Sequence, residues 1–192
     1  MDSSYCILEI IVGPMFSGKT SLLIEKFNLL KKTQNCLAIN YLHDNRFNEG
    51  STKITSHDNV SIDCISIESL SELMKNEDFK EKFDNADYIF INEAQFFNNL
   101  KSWVLTSVNK LYKNIILCGL NLDFKRQPFG EINELYPHAT SIYELTGICY
   151  ICANASLYSH RTSKNKEQVL IGSQEYIPLC SECYNKANNN DI

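Results

Sequence analysis

The segment of the chain with the clearest chemical meaning is GPMFSGKT, residues 13–20. The apolar run YCILEIIV precedes it, and TSLLIEKFNLLKK follows it with large apolar side chains at helical spacing. A G-x-x-x-x-G-K-[ST] pattern between a strand and a helix is typical of a phosphate-binding loop. The alternative is a glycine-containing turn with an incidental lysine, which the flanking elements disfavour. We therefore expect the loop to bind the phosphates of a nucleotide through Gly13, Pro14, Met15, Phe16, Ser17, Gly18, Lys19 and Thr20.

The residue types in this loop suit a triphosphate and a magnesium ion. Gly13 and Gly18 allow the backbone to curl so that its N–H groups point inward at phosphate oxygens. The start of the following helix adds partial positive charge, and Lys19 adds a full one. The hydroxyl of Thr20 is a suitable ligand for Mg²⁺. The loop thus predicts a nucleoside triphosphate with magnesium, but it does not indicate where a phosphoryl group goes.

Two cysteine pairs near the C-terminus have the spacing of a zinc site. Cys149 and Cys152 form C-Y-I-C, and Cys180 and Cys183 form C-S-E-C. Each two-residue gap aims two thiolates at one metal, and two such turns complete a tetrahedral, structural Zn²⁺ site. Two pairs of reduced, buried cysteines are the alternative. The 27 residues between the pairs predict a long loop held at its base. The other four cysteines are expected in the core: Cys6, Cys36, Cys64 and Cys118.

A carboxylate follows a third predicted strand. In INEAQFF, residues 91–97, Glu93 comes shortly after the apolar run YIFI. A carboxylate at the end of a sheet strand beside a phosphate loop is placed to accept the proton of an attacking hydroxyl. The alternative is a helix cap or a surface carboxylate. Asn92 precedes it, an uncharged amide whose oxygen accepts hydrogen bonds from metal-bound water.

Strands and helices alternate over most of the chain. Apolar runs and helical periodicity predict the following elements: strands at 5–12, 36–40, 88–91 and 115–120, and helices at 20–32, 69–83 and 99–112. This alternation predicts an α/β fold with a mainly parallel sheet, covered on both faces and binding ligands at the carboxyl ends of its strands. It stops after about residue 145. We therefore expect a nucleotide-binding domain over 1–145 and a small zinc-binding domain over 146–192.

Charge and hydropathy exclude several kinds of partner. The 192 residues carry 18 basic and 23 acidic side chains, which gives a net charge of -5. Phosphate-backbone binding needs a concentrated positive face, so we expect no nucleic-acid partner. No apolar stretch approaches the length of a membrane span, and MDSSYCILEI lacks the basic start and long apolar core of a signal peptide. A cytoplasmic protein with no membrane partner is expected.

The motifs taken together resemble one family. The segments GPMFSGKT, YLHDNRF, SHD, INEAQFF, FKRQPFG and EYIPLC, with the two cysteine pairs, resemble the thymidine kinases shared by animal cytosol, many bacteria and large DNA viruses. The resemblance covers nearly the whole chain. It implies a P-loop NTPase-like fold with a C-terminal zinc-binding lasso domain, and transfer of the γ-phosphoryl of ATP to the 5′-hydroxyl of thymidine.

The resemblance also implies roles for residues near the reacting phosphates. Glu93 matches the family's catalytic base. Asn92 stands where the family usually has an aspartate that assists magnesium, so we expect weaker Mg²⁺ affinity with activity retained. Arg46 matches an arginine that stabilises charge during transfer, with a solvated surface arginine as the alternative. Asp44, His57 and Asp58 match family positions in the same region but receive no catalytic role here.

A further set of residues matches the family's nucleoside pocket. Aromatic side chains would stack on or enclose the base, and the long loop between the cysteine pairs would close over it as a lasso that binds through main-chain groups. Ser159 stands where some relatives have a threonine near the thymine methyl, which leaves deoxyuridine as an alternative substrate. The implied substrate-binding residues are Phe96, Leu120, Phe124, Phe129, Ser159, Arg161, Val169, Ile171 and Tyr176.

Two other functions stay open at this point. One is a zinc-ribbon NTPase that binds nucleic acid, which the acidic charge disfavours. The other is a catalytically silent nucleotide sensor, which depends on Asn92 alone. The resemblance to this family also implies a homotetramer.

Overall fold

The computed structural model describes residues 6–43, 52–170 and 175–189. In these ranges the strands are β1 (Leu8–Val12), β2 (Cys36–Tyr41), β3 (Lys53–Thr55), β4 (Ser61–Asp63), β5 (Ile65–Ile67), β6 (Tyr88–Ile91), β7 (Asn114–Gly119), β8 (Ser141–Glu144), β9 (Gly147–Ile148), β10 (Ala155–Ser156), β11 (Tyr158–Arg161) and β12 (Tyr176–Leu179). The α-helices are α1 (Lys19–Leu30), α2 (Glu72–Lys75), α3 (Glu77–Asn85), α4 (Leu100–Asn109) and α5 (Ser181–Asn189). Two 3-10 helices span Ala94–Phe96 and Ile132–His138.

Six parallel strands form the central sheet in the order β5-β2-β6-β7-β1-β8. The register aligns one buried aliphatic side chain from each of five strands in a row across the sheet: Ile65, Ile39, Ile91, Leu117 and Ile10. Apolar runs of this kind are expected where helices cover both faces of a parallel sheet. The predicted α/β fold with a mainly parallel sheet flanked by helices is therefore confirmed.

Side chains that alternate along each strand form a separate core on each face of the sheet. Ile10 belongs to the larger core, with Phe83 of α3 and Val104 of α4. Ile11 belongs to the other core, with Leu23 of α1. This division follows from the two-residue period of a strand, which sends successive side chains to opposite faces. The sheet is thus held rigid from both sides at the strands that lead into the site.

The helix predicted over 69–83 is in fact two helices. Asn76 separates α2 from α3, because its backbone is extended, with φ -97° and ψ 124°. Its side-chain oxygen accepts a hydrogen bond from the N–H of Phe79 at 3.1 Å and so caps α3. Asparagine is favoured at this position because its short side chain reaches an otherwise unpaired N–H of the first turn. The strands β3, β4, β5 and β8 also lie outside the predicted elements.

The described residues after β8 form small antiparallel pairs instead of sheet strands with covering helices. Strand β9 pairs with β10, and β11 pairs with β12. Leu179 and Tyr184 pack there with three of the paired cysteines, in a core separate from the two cores of the sheet. None of the helices in the described residues is long and apolar enough to cross a membrane.

Candidate active site

The carboxyl ends of three neighbouring strands form the base of the site. Gly13 follows β1, Asn92 and Glu93 follow β6, and Leu120 follows β7. Since these strands are parallel and adjacent in the order β6-β7-β1, the segments that follow them meet at one edge of the sheet. A cleft-like cavity that is partly open to solvent lies there. Its lining is Met15, Phe16, Ser17, Gly18, Lys19, Thr20, Ser21, His57, Glu93, Gln95, Phe96, Leu120, Phe129, Gln168, Leu170 and Tyr176.

The loop after β1 has the conformation that a phosphate-binding loop needs. Gly18 has φ 83°, a left-handed conformation that suits glycine, and α1 begins at the next residue. At Gly13, a Cβ atom would collide with the backbone oxygen of Leu145. Lys19 is 8% exposed, and its ammonium group donates a hydrogen bond to the carbonyl of Pro14 at 2.6 Å. The lysine thus lies folded over its own loop, at the start of a 12-residue helix.

Glu93 faces the cavity from the end of β6. Its backbone has φ 53° and ψ 42°, a left-handed conformation that is uncommon for a residue with a side chain. Such conformations occur where the surrounding structure imposes them, often at functional sites. The side chain is 6% exposed, and one carboxylate oxygen accepts a hydrogen bond from the Gln95 amide at 2.6 Å. The carboxylate therefore lines the same cavity as Lys19 and Thr20.

Asn92 lies below the cavity in a buried polar network. Its amide nitrogen donates to the side-chain oxygen of Asn40 at 2.8 Å. Its oxygen accepts from the hydroxyl of Thr20 at 3.3 Å and from the thiol of Cys118 at 3.1 Å. Oxygen atoms of hydroxyl and amide groups are ligands or water acceptors that suit Mg²⁺, so this pair fits a hydrated magnesium ion. The donor set is neutral, since no carboxylate stands at position 92.

Aromatic side chains form the other wall of the cavity. The rings of Phe96 and Phe129 meet edge to face, with centroids 5.4 Å apart. Phe96 also stacks on Tyr41, with centroids 5.0 Å apart. Phe96, Phe129, Leu120 and Tyr176 give the cavity an apolar, mainly aromatic wall, a type of surface on which a flat ring stacks. These four of the residues predicted for the nucleoside line the cavity: Phe96, Leu120, Phe129 and Tyr176.

Arg161, predicted to bind substrate, organises the long loop between the cysteine pairs. Its guanidinium is 4% exposed and lies 3.8 Å from the ring centroid of Phe124. It donates hydrogen bonds to the carbonyls of Asn165 and Gln168, both at 3.1 Å, and of Glu167. A rigid fork of N–H donors suits such a set of carbonyls. Arg161 and Phe124 are not among the residues that line the cavity, whereas Gln168 and Leu170 of the same loop are.

Two other residues predicted for the nucleoside, Ser159 and Val169, do not line the cavity. Ser159 is 4% exposed, and its hydroxyl accepts a hydrogen bond from the N–H of Met15 at 2.8 Å. It therefore contacts the phosphate loop. Val169 is 45% exposed and does not line the cavity. Ile171 and the predicted phosphate-contacting Arg46 lie outside the described residues, as does Asp44.

The four paired cysteines come together as predicted. The sulfur atoms of Cys149, Cys152, Cys180 and Cys183 all lie within 4.8 Å of one another. The Sγ atoms of Cys152 and Cys180 are 3.6 Å apart, close to the spacing of about 3.8 Å that a tetrahedron with zinc–sulfur bonds of about 2.3 Å gives. The chemistry and arrangement of these donors fit Zn²⁺.

Cys149 and Cys183 have pKa values shifted in opposite directions from the ordinary value of a thiol. Burial opposes ionisation of Cys149, but backbone hydrogen bonds from Cys180, Cys152 and Ile151 lower its pKa to about 6. Burial and the neighbouring thiols raise the pKa of Cys183 to about 12. The raised pKa keeps the Cys183 thiol protonated at neutral pH, and a bound cation would favour its thiolate.

Sequence reasoning missed four residues of the cavity wall, Ser21, Gln95, Gln168 and Leu170, and it gave no role to a fifth, His57. Gln95 had a visible signal, because it stands two positions after Glu93 in EAQFF. Gln168 and Leu170 belong to a loop whose path depends on contacts with distant residues. Its own residues give no periodic pattern.

The fold and the cavity define an α/β protein with a mainly parallel sheet, in which the segment GPMFSGKT follows the first strand and lines a cavity at the carboxyl ends of the strands. Comparison with known proteins then identifies the family. A family model described as thymidine kinase matches residues 6–184. The thymidine kinase of Yaba monkey tumor virus is 39% identical over 194 residues, covering 98% of this chain and 100% of that protein.

Thymidine kinases from a bacterium and from Dictyostelium have similar sequence identity to this chain. The thymidine kinase of Bacteroides fragilis strain YCH46 is 36% identical, covering 96% of this chain and 89% of the relative. Thymidine kinase 1 of Dictyostelium discoideum is 35% identical, covering 95% of this chain and 79% of that protein. The chain therefore belongs to the thymidine kinase family. This confirms the resemblance stated from the sequence and the predicted enzyme class, an ATP-dependent thymidine kinase.

Proposed function

We propose that the chain transfers the γ-phosphoryl of ATP to the 5′-hydroxyl of thymidine with Glu93 as the general base. The observation that carries this assignment is that Glu93, Lys19 and an aromatic wall line one cavity. A carboxylate, a phosphate-binding cation and an apolar ring site are the groups that bring an alcohol to a triphosphate. No described feature favours a different reaction.

In the proposed reaction the loop 13–20 binds the triphosphate through its backbone N–H groups, and Lys19 moves from the Pro14 carbonyl to the terminal phosphates. The 5′-oxygen of the nucleoside attacks the γ-phosphorus while its proton passes to the Glu93 carboxylate. A new oxygen–phosphorus bond forms, and the bond from the γ-phosphorus to the bridging oxygen breaks. The electron pair leaves with ADP.

Thr20 and Asn92 would hold Mg²⁺, which when bound supplies charge neutralisation between the β- and γ-phosphates. Since the amide of Asn92 is fixed by Asn40, its oxygen stays directed at the Thr20 hydroxyl. The neutral oxygen supplies hydrogen bonding without a formal charge, so a weaker affinity for magnesium with retained activity is proposed. A charge-stabilising role for Arg46 stays a prediction.

For the nucleoside, we propose that the base lies against Phe96 and Phe129, under the loop between the cysteine pairs. Main-chain groups near Leu170 would complement the ring carbonyls and imide of a pyrimidine. Thymidine is the proposed substrate, with deoxyuridine the closest alternative. Zinc bound by the four cysteines would fix the ends of this loop as part of a domain over 146–192. A homotetrameric, cytoplasmic enzyme without a nucleic-acid partner is proposed from the family resemblance and composition.

A nucleoside panel with labelled ATP tests the proposal, run with the wild type and with Glu93→Gln. We expect thymidine to be phosphorylated and the variant to lose about 10²- to 10⁴-fold in kcat while it still binds ATP. Nucleotide binding by the wild type without thymidine-dependent turnover would contradict kinase function and favour the sensor. Wild-type turnover that is stimulated by single-stranded DNA instead of a nucleoside would favour the nucleic-acid-dependent NTPase.

A further inference from the structure

Gln95 forms a buried bridge between Glu93 and the end of β7. It lies in the 3-10 turn Ala94–Phe96 and is 4% exposed. Its side-chain nitrogen donates to Oε2 of Glu93 at 2.6 Å. Its side-chain oxygen accepts from the backbone N–H of Leu120 at 3.0 Å. One amide therefore connects the carboxylate after β6 to the backbone after β7.

The orientation of this amide is determined by its partners. A backbone N–H such as that of Leu120 is a donor only, so the atom that faces it must be the amide oxygen. The NH₂ group of Gln95 must then face the opposite partner, the Glu93 carboxylate. Turning the amide over would oppose two donors at Leu120 and two acceptors at Glu93. The bridge thus always presents a donor to the carboxylate.

Close backbone packing keeps Gln95 in this place. A Cβ atom added at Gly119 would collide with the side-chain oxygen of Gln95. A Cβ atom added at Gly130 would collide with the backbone oxygen of Gln95, and Gly130 also has a left-handed backbone with φ 60°. The two glycines therefore leave the space that the bridge occupies, on both sides of it.

We propose that Gln95 is a positioning residue that keeps the Glu93 carboxylate ionised and oriented toward the substrate hydroxyl. The proposal rests on the proposed role of Glu93 as the base. A hydrogen bond donated to a carboxylate stabilises its charged form, and the charged form is the one that accepts a proton. The bond also restrains the side-chain rotation of a residue whose backbone is already in an uncommon conformation.

The measurement is the pH profile of kcat/KM for thymidine, because removal of the donor favours the protonated carboxylic acid. Without the donor, the Glu93 carboxylate takes up its proton at a higher pH. The acid limb of the profile, where the rate falls as the pH decreases, therefore moves to higher pH. For Gln95→Met, which has a similar length but no donor, we expect an upward shift of about one pH unit. ATP affinity measured by calorimetry should stay within about twofold. The control is Gln34→Met, on the exposed surface, which should leave the profile unchanged.

A second variant tests the proposal if Gln95→Met does not fold well. Gln95→Leu also lacks a donor and has an apolar side chain of similar size, so the acid limb should again move upward by about one pH unit. An acid limb at the wild-type position in either folded variant would overturn the proposal, even with reduced kcat or thermal stability. Glu93→Gln is run beside them: if it stays active, the proposed base is wrong; if it is inactive and the limb does not move, only the role of Gln95 is wrong.

Discussion

The hydroxyl of Ser159 accepts a hydrogen bond from the backbone N–H of Met15 at 2.8 Å, across 144 positions of the chain. Both residues are buried, Ser159 to 4% exposure and Met15 to 9%. Ser159 belongs to β11, which is paired with the strand that leads to Cys180, whereas Met15 belongs to the phosphate loop. The part of the chain that carries the cysteine pairs is thus joined directly to the loop 13–20, the proposed nucleotide site.

We expect Ser159→Ala to destabilise the phosphate loop as well as the C-terminal part. The N–H of Met15 loses its buried acceptor, which costs about 1–3 kcal/mol of unfolding free energy. ATP affinity should fall, although Ser159 does not line the cavity. Ser159→Thr retains the hydroxyl and should preserve ATP affinity, and Ser163→Ala, at an exposed site, is the control. Calorimetry and thermal unfolding measure both effects; unchanged ATP affinity in Ser159→Ala would contradict the coupling.

Removal of zinc should weaken thymidine binding more than ATP binding. Without the ion, the ends of the loop that carries Gln168 and Leu170 are no longer fixed, so closing the loop costs more conformational entropy. We expect thymidine affinity to fall about tenfold or more and ATP affinity about twofold. Chelation and Cys183→Ser are two routes to this state, with Cys6→Ser as the control. Equal losses of thymidine affinity and ATP affinity would contradict the proposal that zinc fixes the ends of the loop.

Asn92→Asp should lower the Mg²⁺ concentration needed for half-maximal activity. A carboxylate adds a negative charge beside the Thr20 hydroxyl, and we expect a change of about tenfold. The Asn40 amide must turn to donate to the new carboxylate, since its oxygen now accepts from Asn92. Mn²⁺ binding with a nonhydrolysable ATP analogue gives a readout independent of turnover. Asn85→Asp adds the same charge at the surface and should change nothing; an unaltered metal dependence in Asn92→Asp would refute the expectation.

Arg161→Lys should raise the KM for thymidine while kcat and ATP affinity change little. An ammonium group cannot bridge the carbonyls that the guanidinium holds together, so the loop that carries Gln168 and Leu170 into the cavity loosens. We expect an increase of about tenfold in KM. Lys164→Gln, an exposed change in the same loop, is the control. A loss confined to kcat would instead indicate that Arg161 acts on the reacting groups.

The amino-acid sequence by itself determined the features that depend on neighbours along the chain. GPMFSGKT predicts a phosphate loop because the positions of its glycines, lysine and threonine fix the local backbone. The C-x-x-C pairs predict a metal site for the same reason, and the described structure brings all four sulfur atoms together. Apolar runs such as YIFI predicted the parallel sheet, since strands buried on both faces need them.

Only the tertiary structure decided which distant residues meet. Asn76 divides a helix that periodicity alone would continue, and its side chain caps the second of the two helices. The tertiary structure gives Arg161 the loop carbonyls and the Tyr176 hydroxyl as hydrogen-bond partners, and it gives Ser159 the N–H of Met15. The bridging position of Gln95 depends on its hydrogen bond with Leu120, which is 25 positions away in the sequence and follows a different strand. Local sequence limits backbone conformation within a few residues, whereas side-chain partners depend on how the sheet brings remote segments together.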